Sequence, residues 1–264
     1  MFRIKTFFIF CIATLFSCNK DESSTNNGNS LNVLLKSVVI ESKPYYEYTY
    51  NPLNQILEEK SKWHYTKYNY DHSVLISSDH YVDRNIFSSN SYKADPAFER
   101  NEWVNSGNTP LYNSTNYFYD NNNRLYKSSD QLGYSIYSYN GNNLINRQTL
   151  YHNEKETGYI NFYYDKKGNL ATKKHYIILK SGNAELQTTT EYEYDNKFNP
   201  YKVFKHIAIP GIYTNINNII REIYTIEFNP GPSVEKVQIK EYTYEYNEKG
   251  YPVKKNNSTE LIYY

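Results

Sequence analysis

Phe162-Tyr163-Tyr164-Asp165-Lys166-Lys167-Gly168-Asn169-Leu170 is the stretch that decides how this chain folds. Asp165 opens a turn, because a short carboxylate side chain bonds back to the backbone that follows it. Gly168, at the third loop position, tolerates a left-handed backbone. Together they specify a three-residue hairpin loop, a type I turn closed by a left-handed residue. That loop sets Asp165 opposite Asn169 and Tyr164 opposite Leu170. Such a cross-strand aromatic–aliphatic pair contributes about 0.2–1 kcal/mol.

The unit recurs. Tyr48-Thr49-Tyr50-Asn51 leads through Asn54 to Ile56, Tyr117-Phe118-Tyr119-Asp120 through Asn123 to Leu125, and Tyr244-Glu245-Tyr246-Asn247 through Gly250 to Pro252. Asp165, Asp120, Asn51 and Asn247 open these turns, and Gly168, Asn123, Asn54 and Gly250 take the left-handed position. Tyr192-Glu193-Tyr194-Asp195 and Tyr137-Ser138-Tyr139-Asn140 have altered turns, and Tyr68-Asn69-Tyr70-Asp71 begins as a copy and then decays. At Asn140 a two-residue Asn140-Gly141 turn is expected, which places Tyr137 opposite Leu144. Phe198 stands where the third loop residue should be, so that turn is expected to differ.

Period-2 alternation flanks the turns. Tyr46, Tyr48 and Tyr50 share a face, as do Tyr242, Tyr244 and Tyr246, with Glu and Thr opposite. An antiparallel sheet with one buried side gives this pattern. Val237 and Ile239 fall out of phase with Tyr242, which predicts a β-bulge near Lys240. Residues 77–116 read as irregular strands with long loops, and 210–220 as a loop with at most one helical turn. The fold class is therefore all-β: a long antiparallel meander of Tyr-rich hairpins curled into an open or closed β-barrel, in one domain spanning 33–264. Curling removes the exposed edges that a flat sheet would present.

Composition supports a folded chain. It has 264 residues, of which 32 are Tyr, and aromatic residues make up 17%. A disordered chain is polar but poor in aromatics. Tyrosine suits a sheet with a thin aliphatic core, because its ring buries apolar surface while its hydroxyl stays wet.

The N-terminus carries its own signals. Arg3 and Lys5 precede an apolar run, Thr6–Phe16, of signal-peptide length and too short to span a bilayer. It ends in Leu15-Phe16-Ser17-Cys18, which looks like a bacterial lipobox. That resemblance implies a signal peptide at 1–17, lipidation of Cys18, and a membrane as partner through the lipid anchor. Cys18-Asn19-Lys20-Asp21-Glu22 is similar to the surface-export signal of Bacteroidota lipoproteins, which implies an outer-membrane, cell-surface address. Residues 18–32 read as a lipidated cysteine and flexible tether. Cys11 lies in the leader, so no thiol remains for disulfides, metals or nucleophilic chemistry.

Without Arg3 and Lys5 the 29 basic residues become 27, against 28 acidic ones. A near-neutral chain has no electrostatic pull toward nucleic acid, so that partner is excluded.

The hairpin resembles the Tyr-Asp repeat of Rhs-type proteins, in which Tyr-x-Tyr-Asp-x-x-Gly-Arg-Leu units build a β-sheet shell. The second tyrosines stand at 50, 70, 119, 139, 164, 194 and 246, a spacing too uneven to imply a regular spiral. With the lipobox, the Asn199-Pro200-Tyr201 phrase and the closing Glu260-Leu261-Ile262-Tyr263-Tyr264 strand, the chain resembles tyrosine-rich lipoproteins of Bacteroidota. That likeness implies a porin-like β fold and no known activity.

Chemistry-bearing motifs are few. His64, His72, His80, His152, His175 and His206 show no metal-site spacing, and no phosphate-binding glycine loop or Gly-x-Ser-x-Gly occurs. Asp79, Asp83, Glu99 and Glu102 are the acid/base candidates, at the level expected by chance in an acid-rich chain. Asp120 with Asn121, Asn122 and Asn123 lacks calcium-loop spacing. Trp63 and Trp103, with tyrosines, are candidates for a glycan-stacking platform. The expectation is a non-enzymatic surface lipoprotein without cofactor or metal, with an unidentified glycan or protein ligand. A glycan-binding or glycan-processing accessory and an outer-membrane pore are the alternatives.

Overall fold

The structure is a computed structural model that describes residues 33–82, 103–205, 207–228, 231 and 234–264. Cys18, the leader 1–17 and the tether 18–32 lie outside the described residues, as do Asp83, Glu99, Glu102 and His206. The strands, all in one antiparallel sheet, are β1 (Leu35–Ile40), β2 (Lys43–Tyr50), β3 (Ile56–Ser61), β4 (His64–Asp71), β5 (Val74–Val82), β6 (Leu111–Tyr119), β7 (Leu125–Ser129), β8 (Tyr134–Tyr139), β9 (Ile145–His152), β10 (Lys155–Tyr164), β11 (Leu170–Ile178), β12 (Ala184–Tyr194), β13 (Ile219–Ile226), β14 (Val237–Glu241), β15 (Tyr244–Tyr246), β16 (Pro252–Lys255) and β17 (Thr259–Tyr263).

Each repeated turn has the same internal bonding. Asp165 Oδ1 accepts from the N–H of Lys167 at 2.8 Å and of Asn169 at 2.9 Å, and Gly168 has φ 91°. Asn51, Asp120 and Asn247 cap their own turns in the same way, with Asn54, Asn123 and Gly250 at positive φ. Tyr50 faces Ile56, Tyr119 faces Leu125, Tyr164 faces Leu170 and Tyr246 faces Pro252. The Asn140 turn does not shorten as expected. Asn140 Oδ1 accepts from Asn142 and Leu144 N–H, both at 3.0 Å, and Asn143 takes the left-handed position at φ 60°. Tyr139 therefore faces Ile145, and Tyr137 faces Gln148 rather than Leu144. An asparagine can hold the left-handed backbone by itself, so Gly141 has no need to. The Asp71 turn is one residue shorter: Asp71 faces Val74, with His72 at φ 54°.

A β-bulge follows every one of these turns. In the Asp165 hairpin, Tyr164 pairs with Leu170 but Tyr163 with Thr172, so Ala171 is the extra residue. The bulge shifts the phase, and the next inward residue after the aliphatic one comes three positions on instead of two. Two layers result on the inner face. The first holds the Tyr–aliphatic pairs. The second sets Tyr48 opposite Glu59, Tyr68 opposite Ser78, Tyr117 opposite Ser128, Tyr137 opposite Gln148, Phe162 opposite Lys173, Tyr192 opposite Glu222 and Tyr244 opposite Lys255. The inner wall is thus apolar next to the turns and polar one step further in.

Hydroxyls tie neighbouring hairpins together. Tyr139 Oη donates to the Leu125 carbonyl at 2.8 Å, Tyr164 to Ile145 at 2.6 Å and Tyr194 to Leu170 at 2.6 Å. In each case a second-position tyrosine reaches the aliphatic residue of the preceding hairpin. The terminal strands obey the same rule with no turn between them. Tyr263 faces Leu35, Tyr263 Oη donates to the Pro252 carbonyl at 2.5 Å, and Tyr50 Oη donates to that of Leu35 at 2.6 Å. The sheet therefore curls until β17 pairs with β1. β14 and β15 follow one another along the chain through Tyr242 and Thr243, β14 pairing with β13 and β15 with β16. The bulge expected near Lys240 is absent: β14 pairs with β13 without a register shift. Val237 and Ile239 lie on the outer face, 41% and 53% exposed. The inner face there carries Lys240 beside Glu222, so no apolar layer draws the two residues inward.

Residues 196–205 and 207–217 fill the interior. Asp195 and Asn218 bond to each other as Asp165 and Asn169 do, with Asp195 N–H donating to the Asn218 carbonyl at 3.1 Å. Asn218 N–H donates back to Asp195 Oδ1 at 3.0 Å. The closing pair of the turn is thus retained but carries a long insertion, the departure from the other copies expected at Phe198. A 3-10 turn at Pro200–Phe204 places the fully buried Phe204 against Tyr48 at 4.9 Å and Tyr213 at 5.4 Å between ring centroids. The one helical turn thus falls ahead of residues 210–220. Asn169, also fully buried, locks the insertion to the neighbouring turn: its Oδ1 accepts from Ile216 and Asn217 N–H at 2.8 and 3.0 Å, and its Nδ2 donates to Asn217 Oδ1 at 3.1 Å.

Candidate functional site

A cavity of about 250 Å³ lies between the insertion and the wall formed by β12, β13 and β15–β17. Tyr192, Tyr242, Tyr244, Glu222 and Lys255 line its wall side, and Asn199, Tyr201 and Ile212 its insertion side. The second inner layer brings the charges there, since Glu222 faces Tyr192 and Lys255 faces Tyr244 across adjacent hairpins. Lys255 Nζ sits 3.8 Å from the centroid of the Tyr242 ring and 5.9 Å from that of Tyr244, so the ammonium rests on aromatic faces. Among the described residues no carboxylate lies within ion-pair distance of it. Burial pushes the Lys255 ammonium below its ordinary range; the Glu222 carboxylate opposes that shift and the Lys240 charge adds to it. Burial, then the Glu222 charge, pushes the Tyr192 phenol up to about 12. Tyr244 Oη donates to the Ile219 carbonyl at 2.8 Å, which fixes its ring. Asn199 Nδ2 donates to the carbonyls of Ile212 at 2.6 Å and Asn215 at 2.9 Å, so the insertion side is held rigid. The arrangement offers a cation, an anion and phenol faces around one small volume, which is chemistry for binding.

A second polar cluster lies on β3–β5. His64 Nε2 is 2.8 Å from Glu59 Oε1, and His64 Nδ1 is 3.1 Å from Ser61 Oγ. This is the composition of a hydrolytic triad, but the geometry is that of a turn. Ser61 is fully buried; its hydroxyl donates to the His64 carbonyl at 3.0 Å and accepts from His64 N–H at 2.9 Å. A nucleophile has to reach a substrate, and this hydroxyl is spent on capping the β3–β4 turn. His80 lies between Thr66 Oγ1 and Ser78 Oγ at 3.1 and 3.0 Å, and burial disfavours its protonation.

The other residues singled out from the sequence are scattered. Asn51, Asp120, Asp165 and Asn247 stand with their left-handed partners along one end of the sheet, because every such turn joins an even strand to the odd one after it or β15 to β16. His72 is exposed beside Asp71, His152 Nδ1 lies 2.6 Å from the Leu132 carbonyl, and His175 faces inward next to Lys173. Among the described residues no three metal-capable side chains come together. Asp79 accepts from Ser114 Oγ at 2.6 Å and Asn69 Nδ2 at 3.0 Å. Trp63, in the β3–β4 turn, packs edge-on against Tyr45 at 4.2 Å and Tyr46 at 5.5 Å. Sequence reading did not single out Glu222, Lys255 or Tyr242 as a group. Glu222 and Lys255 share one signal, the polar residue three positions after the aliphatic one, visible once the bulge is known; Tyr242 follows from its alternation with Tyr244.

No protein-family model matches the chain, and no curated protein matches it. Among solved structures it is similar to a porin-like protein from Bacteroides vulgatus, at 10% identity over 88% of this chain and 99% of that one with a TM-score of 0.46. A porin-like protein from Bacteroides uniformis is similar at 12% identity, 87% and 98% coverage and a TM-score of 0.45. The Photorhabdus luminescens Tc holotoxin pore is similar at 15% identity over 84% of this chain and 12% of that chain, with a TM-score of 0.33. No function is carried over from likenesses this distant.

Proposed function

We propose that this protein is a lipid-anchored, non-enzymatic binding protein of the outer membrane, displayed at the cell surface. The observation that carries the reading is the filled interior. The insertion packs Phe204 and Ile207 into the curled sheet, so the strands act as a rigid scaffold around a small cavity. The Cys18 lipobox and the Lys20-Asp21-Glu22 signal supply the anchor and the address. A pore is disfavoured by the outer face. It carries Glu58 paired with Lys60 at 2.9 Å and Arg221 paired with Glu193 at 2.9 Å, whereas a lipid-facing band must be apolar. A glycan ligand is the favoured class, since the cavity sets phenol faces beside hydrogen-bonding charges.

The test is labelling of intact cells with protease or a membrane-impermeant biotin reagent. Cleavage or labelling without lysis is expected, together with no conductance in a planar bilayer. Protection in intact cells would remove the surface address, and a steady conductance would restore the pore.

A further inference from the structure

We propose that the cavity beside Lys255 and Glu222 binds a hexuronate, the carboxylate-bearing sugar of an acidic glycan. This rests on the binding reading above and names its ligand class. Lys255 is a half-buried ammonium on the Tyr242 face with no carboxylate at ion-pair distance among the described residues. A ligand carboxylate entering the cavity would supply the missing counter-charge where water is scarce. Lys240, opposite Glu222 on the β13–β14 ladder, is exposed on the same inner face, so positive charge leads from solvent inward.

The charged side chains that line the volume are Lys255 and Glu222; Lys240 stands exposed across the ladder from Glu222, and Asp195 lies beyond Tyr244. A uronate answers both lining charges, its carboxylate meeting Lys255 and its hydroxyls Glu222, whereas a neutral hexose leaves Lys255 without an anion. Glu222 has no ion-pair or hydrogen-bond partner among the described residues, so its oxygens are free to accept from ligand hydroxyls. The rings of Tyr192 and Tyr244 give the C–H face of a sugar an apolar wall. Pockets for drug-sized ligands run about 300–1,000 Å³, so a cavity of about 250 Å³ suits one sugar-sized unit.

The experiment is calorimetric titration of the full-length protein in detergent with glucuronate, galacturonate, glucose, galactose, alanine and acetate. A uronate is expected to bind, with the neutral hexoses, alanine and acetate each weaker by about tenfold or more. Lys255→Met is expected to weaken uronate binding by about tenfold, and added salt to weaken it further. If Lys255→Met does not fold, Lys240→Met at its exposed position decides: about threefold weaker sustains the site, and unchanged affinity overturns it. Absence of uronate binding below about 10 mM also overturns it. So does equal affinity for a neutral hexose or alanine. A protein labelled on intact cells that fails to bind uronate keeps the surface reading and loses this site. One that binds uronate but is protected in intact cells does the reverse.

Discussion

The hydroxyl of Tyr194 donates to the backbone carbonyl of Leu170 at 2.6 Å, from one hairpin to the hairpin before it. The ring of Tyr194 simultaneously faces Ile219 across its own hairpin. One side chain thus closes a hairpin with its ring and fastens that hairpin to its neighbour with its oxygen. Tyr194→Phe keeps the ring and leaves the Leu170 carbonyl without this donor. The expected loss is about 1 kcal/mol, in the usual range for one hydrogen bond. Tyr163→Phe, on the exposed outer face, is the control and should change stability by less than about 0.5 kcal/mol. Equal midpoints for the two variants in urea unfolding would remove the lattice from the stability argument.

Phe204 is the keystone of the insertion. It is fully buried and touches the rings of Tyr48, Tyr50, Tyr201 and Tyr213. Phe204→Ala should cost about 3–5 kcal/mol, because the rigid wall cannot collapse into the void. Chemical denaturation followed by near-ultraviolet circular dichroism of the tyrosines measures it. A loss below about 1 kcal/mol would mean that the insertion packs loosely and the interior is open.

The hairpins were legible because their information is local. Asp165 and Gly168 fix a loop by side-chain bonding and a left-handed backbone, and the Tyr164–Leu170 register follows from counting. The bulge at Ala171 was not legible, because the extra residue leaves no special composition and simply flips the phase. Without it, Lys173, Glu222 and Lys255 count as outward residues, and the cavity cannot be seen. The Tyr263–Leu35 pairing was hidden for a different reason: the two ends of the chain meet with no turn to announce them. The insertion at Asp195 was half legible, as Asn217 and Asn218 looked like loop residues. Their partners Lys197, Asn169 and Asp195 are set by the three-dimensional path alone.

Asn169 joins a turn to the insertion, and its neighbour Asp165 links that joint to pH. Burial pushes the Asp165 carboxyl up, but the Asn169 side chain and the N–H groups of Asn169, Lys167 and Gly168 outweigh it and hold it below its ordinary value. Glu58 is lowered likewise, its burial outweighed by bonds from Lys60, Tyr65 and Thr49. A carboxyl depressed in the folded state stabilises above its unfolded pKa of about 4, and that stability is lost as pH falls through the folded value. Unfolding free energy should therefore drop below about pH 4, and Asp165→Asn should flatten part of that limb. An acid limb unchanged by Asp165→Asn would show that this carboxylate carries no linkage.

The opposite limb belongs to the tyrosines. Burial raises the phenols of Tyr50, Tyr164, Tyr194 and Tyr263 well above their ordinary range, and that of Tyr139 to about 12. In the unfolded chain these groups ionise near pH 10. A phenol raised in the folded state contributes stability that is complete below pH of about 10 and is lost as pH climbs toward the folded value, because only the unfolded chain then releases its proton. Many phenols act in concert, so the loss should be steep. Absorbance at the phenolate band should stay low past the ordinary tyrosine range and then rise in one cooperative step coincident with loss of sheet signal. A gradual titration centred near pH 10 with the sheet intact would mean that the inner-face hydroxyls are wet, and the inner wall would then have to be read as a solvated surface.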